Sequence, residues 1–114
     1  MRSVNTISHN KINIELLTGC KKAIRDVLPD AEIILYGSRA RGDAKDYSDY
    51  DLLIITNEQE DIKQEERIIS NIYPIELESG EVISFIIYNR QKWESNLYKA
   101  MPFHKNIGQD GVLL

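Results

Sequence analysis

The chain has 114 residues, 42% hydrophobic and 28% charged, with a net charge of −4 at pH 7 and an isoelectric point near 5.2. That length accommodates a single domain over residues 1–114. The acidic balance argues against a module whose main task is to coat nucleic acid, which needs a basic footprint. One cysteine, Cys20, excludes an intramolecular disulfide framework and a multi-cysteine zinc site. No apolar run approaches the ~20 residues of a membrane span, and the opening MRSVNTISHNK lacks the apolar stretch of a signal peptide. A cytoplasmic protein is expected.

Taken in chain order, Ile12, Leu16, Cys20, Ala23, Ile24, Val27 and Leu28 recur at helical spacing, which predicts a helix over residues 10–28 stopped by Pro29. EIILY, Glu32–Tyr36, reads as a short strand ending at Gly37. A tight segment follows, and residues 50–55 (YDLLII) read as a buried strand. Residues 58–73 are charged on one side and isoleucine-rich on the other, which predicts a second helix. Residues 75–78 and 82–88 alternate around Ser79-Gly80 and predict a β-hairpin. A last helix is expected over residues 91–101, followed by a break at Pro102-Phe103 and an apolar tail, Val112 to Leu114. The order predicts an α+β (mixed α/β) sheet with helices packed on one face.

The chemistry lies in Gly37-Ser38, ten further residues, and then Asp49-Tyr50-Asp51. Carboxylates at i and i+2 on a strand project from the same face, where their oxygens can share hard divalent cations such as Mg²⁺. The Gly-Ser bend offers backbone N–H groups and a hydroxyl to a triphosphate, and Arg39 and Arg41 can neutralise that triphosphate or steady the loop. These parts suit two-metal nucleotidyl transfer.

The stretch LYGSRARGDAKDYSDYDLLII, residues 35–55, resembles the GS-x10-DxD signature of the DNA polymerase beta-type nucleotidyltransferase superfamily, and its length and GSRARG segment are similar to the minimal nucleotidyltransferases. The resemblance implies the nucleotidyltransferase fold, nucleotide binding by Gly37 and Ser38, two Mg²⁺ ions on Asp49 and Asp51, and transfer of a nucleoside monophosphate, most often AMP from ATP. It also implies a partner: many such proteins are antitoxins of HEPN-domain toxins, and some transfer AMP to a tyrosine of the toxin. Family members carry a third acid on a later strand. Alignment of ISFIIYNR places Ser84 there.

The predicted hairpin suggests a replacement for that acid. Pairing Glu78 with Val82 and Glu76 with Ser84 puts Ile75, Leu77, Ile83, Phe85 and Ile87 on one apolar face. Glu76 then lies about 5 Å, Cβ to Cβ, from Ser84 on the face of the two aspartates. Glu76 is therefore the expected third catalytic carboxylate, beside Asp49 and Asp51. Failing that, Ser84 suggests a degenerate member that binds nucleotide or partner without catalysis. A relative that modifies small molecules is disfavoured, because such proteins carry an additional acceptor-binding domain. His9 and His104 have no neighbours at metal-ligand spacing. Cys20, Trp93, Tyr98 and Phe103 are expected in packing roles, and the acidic run over residues 57–81 as a solvated face.

Overall fold

A computed structural model describes residues 1–4 and 12–114; His9 lies outside them. The elements are β1 (Arg2–Ser3), α1 (Ile14–Arg25), β2 (Glu32–Tyr36), α2 (Ser38–Arg41), β3 (Tyr50–Thr56), α3 (Ile62–Ser79), β4 (Ile83–Asn89), α4 (Arg90–Trp93), α5 (Asn96–Lys99), α6 (Pro102–Asp110) and β5 (Val112–Leu113). The strands form one mixed sheet in the order β1-β5-β2-β3-β4. β2 is antiparallel to β3 and to β5, whereas β3–β4 and β1–β5 are parallel.

Strand alternation builds two cores. Ile33, Leu35, Tyr50, Leu52, Ile54 and Ile83 point to one face and pack with Leu16, Leu17, Cys20 and Ile24 of α1 and Ile68 and Ile72 of α3. Ile34, Leu53 and Ile55, one residue out of step, point to the other face and meet Trp93, Ile107 and the rings of Tyr36, Tyr88, Tyr98 and Phe103. The expected mixed sheet with helices is present, and the C-terminal helices add a second cover that the sequence pattern had left out. Trp93 is its hub: its ring lies 5.3 Å from Tyr88, 5.9 Å from Phe103 and stacks on His104 at 4.3 Å. Cys20 is fully buried, and burial, then the charge of Glu76, pushes its thiol up to about 11.

The α1 helix is shorter than the apolar pattern. Its start is set by the Asn13 side chain, which accepts from Leu16 N. The main departure is the predicted hairpin. Residues 75–78 are not a strand; they complete α3, which runs through Pro74 and ends at Gly80 with φ +73°. Ser79-Gly80 is thus a helix C-cap, where glycine takes the left-handed conformation at no steric cost. The i, i+2 pattern of Ile75 and Leu77 is coincidental: Ile75 packs on the core, while Leu77 is 66% exposed. The constraint that decides this is the sheet. β3 and β4 are parallel, and a parallel pair needs a crossover rather than a tight turn; α3 is that crossover. The helix expected over residues 91–101 is two short turns, α4 and α5, because Ser95 starts a new cap by accepting from Tyr98 N. The Pro102 break is the first turn of α6, and the apolar tail supplies β5 between β1 and β2.

Two outcomes follow from these contacts. Trp93→Ala should lower unfolding free energy by about 3 kcal/mol, whereas Leu97→Ala, at a 73% exposed position, should stay within about 0.5 kcal/mol; urea titration of both variants checks this. Asp30 accepts from Thr56 Oγ1 at 2.9 Å and Asn57 N at 2.6 Å, fastening the turn before β2 to the end of β3. Burial works against its charge, but those bonds and Arg90 outweigh it and hold its carboxyl below the usual range. Its contribution is therefore full above the unfolded value of about 3.9 and lost as pH falls through the lower folded value. Melting temperatures measured from pH 7 down to pH 2 should show a shallower acid decline for Asp30→Asn than for the wild type.

Candidate active site

The candidate site forms where β2 ends and β3 begins. Antiparallel register sets Tyr36 opposite Asp51, so the residue after Tyr36 turns back over the Asp51 carboxylate. That residue is Gly37, with φ +75° and ψ −157°. A Cβ there would collide with Asp51 Oδ2 and come within 3.3 Å of Asp51 Cγ. Glycine is required twice over, by conformation and by the carboxylate that occupies the space of a side chain. Ser38 then opens α2, whose first turn is closed by Ala40 N and Arg41 N donating to Gly37 O.

Asp51 reaches this bend, with Asp49 close enough to act on its charge. Asp51 is half-buried and Asp49 exposed. Burial, then the negative charge of Asp49, raises the Asp51 carboxyl above its usual value, with Arg41 opposing. A half-buried carboxylate whose charge is disfavoured by burial and by a neighbouring acid gains from bound positive charge. Tyr36 belongs to the same cluster: burial, then Asp51, raises its phenol. Sequence reading passed over Tyr36; the only signal for it is the β2–β3 register, which the sequence did not specify. On the far side of β3, parallel register sets Ser84 of β4 abreast of Asp51.

The two arginines have different fates. Arg41 is exposed, donating to Asp43 Oδ2 at 3.3 Å, and stays within electrostatic reach of Asp51. Arg39 is 8% exposed. Its Nε and Nη2 donate to Ser48 O at 3.2 and 2.9 Å, Nη2 also to Asp46 O and Glu81 Oε2, both at 3.4 Å. Its guanidinium carbon lies 4.6 Å over the Tyr50 ring. Of the two roles expected of Arg39, neutralising a triphosphate or steadying the loop, these contacts supply the second.

Glu76 requires a correction. Its expected place opposite Ser84 depended on the hairpin, and the residue sits instead on α3, where Oε2 accepts from Ile83 N at 3.0 Å. It also faces Cys20 electrostatically, which puts it on the side of the sheet covered by α1 and α3. It caps the foot of β4 rather than joining the aspartates. Among the described residues, no cluster of three or more His, Cys, Asp or Glu side chains is arranged to hold a metal.

Gly37→Ala should lower stability by about 2–3 kcal/mol, the combined effect of a strained backbone and displaced Asp51. Gly108→Ala, inside α6 with nothing within 4 Å of the added carbon, should instead raise stability by up to about 1 kcal/mol. Paired thermal melts read both.

Comparison with known proteins is consistent with this geometry. Residues 17–110 match the family model described as nucleotidyltransferase domain. The chain is 38% identical over 79 residues to a candidate protein adenylyltransferase of Methanocaldococcus jannaschii, covering 68% of this chain and 80% of that protein. It is 39% identical over 57 residues, half of each chain, to MntA of Haemophilus influenzae, a candidate protein adenylyltransferase. The fold resembles that of a candidate nucleotidyltransferase from Sulfolobus solfataricus, with a TM-score of 0.52 at 20% identity, over 87% of this chain and 76% of the other. The chain belongs to the nucleotidyltransferase domain family.

Proposed function

We propose that the protein transfers a nucleoside monophosphate, AMP from ATP, to a hydroxyl of a protein acceptor. The observation that carries this reading is the seating of the Asp51 carboxylate against the side-chain-free face of Gly37, with Asp49 coupled to it. It supports the reading because a glycine bend suited to a phosphate would then adjoin acids suited to the metal that accompanies it. The residues fit Mg²⁺, a hard ion that takes one or two carboxylates and fills its remaining positions with water and phosphate oxygens. Asp49 and Asp51 would hold it. When bound, Mg²⁺ supplies positive charge to the attacking and leaving oxygens of an in-line displacement.

The chain's own residues then have separate tasks. Gly37 lets the triphosphate approach the backbone, Ser38 offers its hydroxyl, and Arg41 brings a mobile positive charge to the phosphates. The acceptor hydroxyl oxygen forms a bond to the α-phosphorus as the bond from that phosphorus to the bridging β-phosphate oxygen breaks, releasing pyrophosphate, and the hydroxyl proton passes to solvent. In this reading Ser84 stands at the position for which the resemblance implies a third acid, and a serine hydroxyl does not act as a base at neutral pH. Both adenylyltransferase relatives support a protein acceptor by their names. In this reading the acceptor is a tyrosine of a HEPN-type toxin, for which the chain serves as antitoxin in the cytoplasm. No helix among the described residues is long and apolar enough to cross a membrane.

Ser84 also favours a second reading, a degenerate member that binds nucleotide or toxin and neutralises the toxin by contact. Incubation with α-labelled ATP, Mg²⁺ and a HEPN-type protein separates the two. Transfer of label that falls at least about 100-fold in Asp49→Asn and Asp51→Asn supports catalysis. Toxin neutralisation by the unlabelled double variant supports contact alone. Ser84→Asp should increase label transfer if the missing acid limits the rate, and leave contact neutralisation unchanged.

A further inference from the structure

Asp49 is exposed and lies outside the regular strand, one residue before β3 begins. A metal ligand so placed needs its backbone fixed by something other than sheet hydrogen bonds. Both of its neighbours are held by one guanidinium. On one side, the Ser48 carbonyl accepts from Arg39 Nε and Nη2, and Asp46 O from Nη2. On the other, the Tyr50 ring lies under the guanidinium at 4.6 Å and is itself 2% exposed. Tyr50 Oη accepts from Asn13 N at 3.2 Å, at the cap of α1. Glu81, just before β4, faces Arg39 Nη2 across 3.4 Å and supplies the counter-charge. The loop is closed on itself as well, Lys45 N donating to Ser48 Oγ at 2.8 Å and Ser48 N to Lys45 O at 2.9 Å.

We infer that Arg39, with Glu81 as its counter-ion, is a positioning residue that fixes the backbone on both sides of Asp49 and so sets the metal-binding geometry of the Asp49–Asp51 pair. The inference rests on the metal-site reading above and goes beyond it by assigning the residues that hold the site in shape. Lysine cannot replace arginine here: it carries the charge but not the planar fork that meets one carbonyl with two N–H groups, nor the flat face that stacks on Tyr50.

The test is Mn²⁺ binding without nucleotide, followed by the electron paramagnetic resonance signal of the free aqua ion, together with the KM for ATP at saturating metal. Arg39→Lys should weaken Mn²⁺ binding about tenfold, the scale seen when a group supporting a metal ligand is removed, and leave the KM for ATP at saturating metal unchanged. Glu81→Gln should weaken it about threefold, as expected for a partly exposed ion pair. It decides the matter if Arg39→Lys does not fold. Leu17→Ala, a core variant of α1 away from the loop, should bind Mn²⁺ like the wild type. Unchanged Mn²⁺ affinity in Arg39→Lys, or in Glu81→Gln if that variant alone folds, overturns the inference. So does a raised KM for ATP with unchanged Mn²⁺ affinity, or equal weakening in Leu17→Ala. If the wild type and Asp49→Asn bind Mn²⁺ equally poorly, the metal-site reading itself fails and takes the inference with it.

Discussion

The structure turns on one close approach: the Asp51 carboxylate lies where the side chain of residue 37 would be. That contact fixes several features at once. It requires glycine at the bend, it sets the bend directly after β2, and it requires the β2–β3 register that puts Tyr36 opposite Asp51. A slip of one residue would turn Asp51 to the face packed by α1 and α3 and take its carboxylate away from the bend.

Around that contact the sheet is a divider between two apolar clusters. The larger, under α1 and α3, carries most of the buried side chains; the smaller, under α4–α6, is aromatic. Asp51 is the second residue of β3 and by alternation with Leu53 and Ile55 points to the face of the aromatic cluster, while Asp49 precedes the strand. Half-burial there is enough to raise the Asp51 carboxyl without removing it from solvent. The strand, packed on both faces, fixes Asp51, while Asp49 depends on the loop that precedes it.

Charge is distributed to the same effect. Arg39 and Arg41 are two residues apart, yet one is sealed against carbonyls and an aromatic ring while the other stays exposed. The four-residue α2 accounts for the difference: its turn points Arg39 under the loop and leaves Arg41 on the outside. Glu76 shows a similar division on α3. It satisfies the first N–H of β4 and so stabilises the strand that runs alongside the site, without reaching the site.

Much of the site was legible in the sequence because its parts are local. The Gly37-Ser38 bend after one strand and the place of Asp51 within the next depend only on backbone conformation and period-two alternation, and EIILY and YDLLII could be little else than strands. What the sequence did not determine was long-range. Residues 75–78 alternate like a strand and follow a proline, yet they are helical, because the parallel placement of β4 beside β3 requires a crossover and only the assembled sheet imposes it. The destination of Glu76, the burial of Arg39 and the insertion of β5 between β1 and β2 follow from the same cause. Each depends on which segments meet in space, and a side chain's partners across tens of residues are set by packing rather than by its neighbours in the chain.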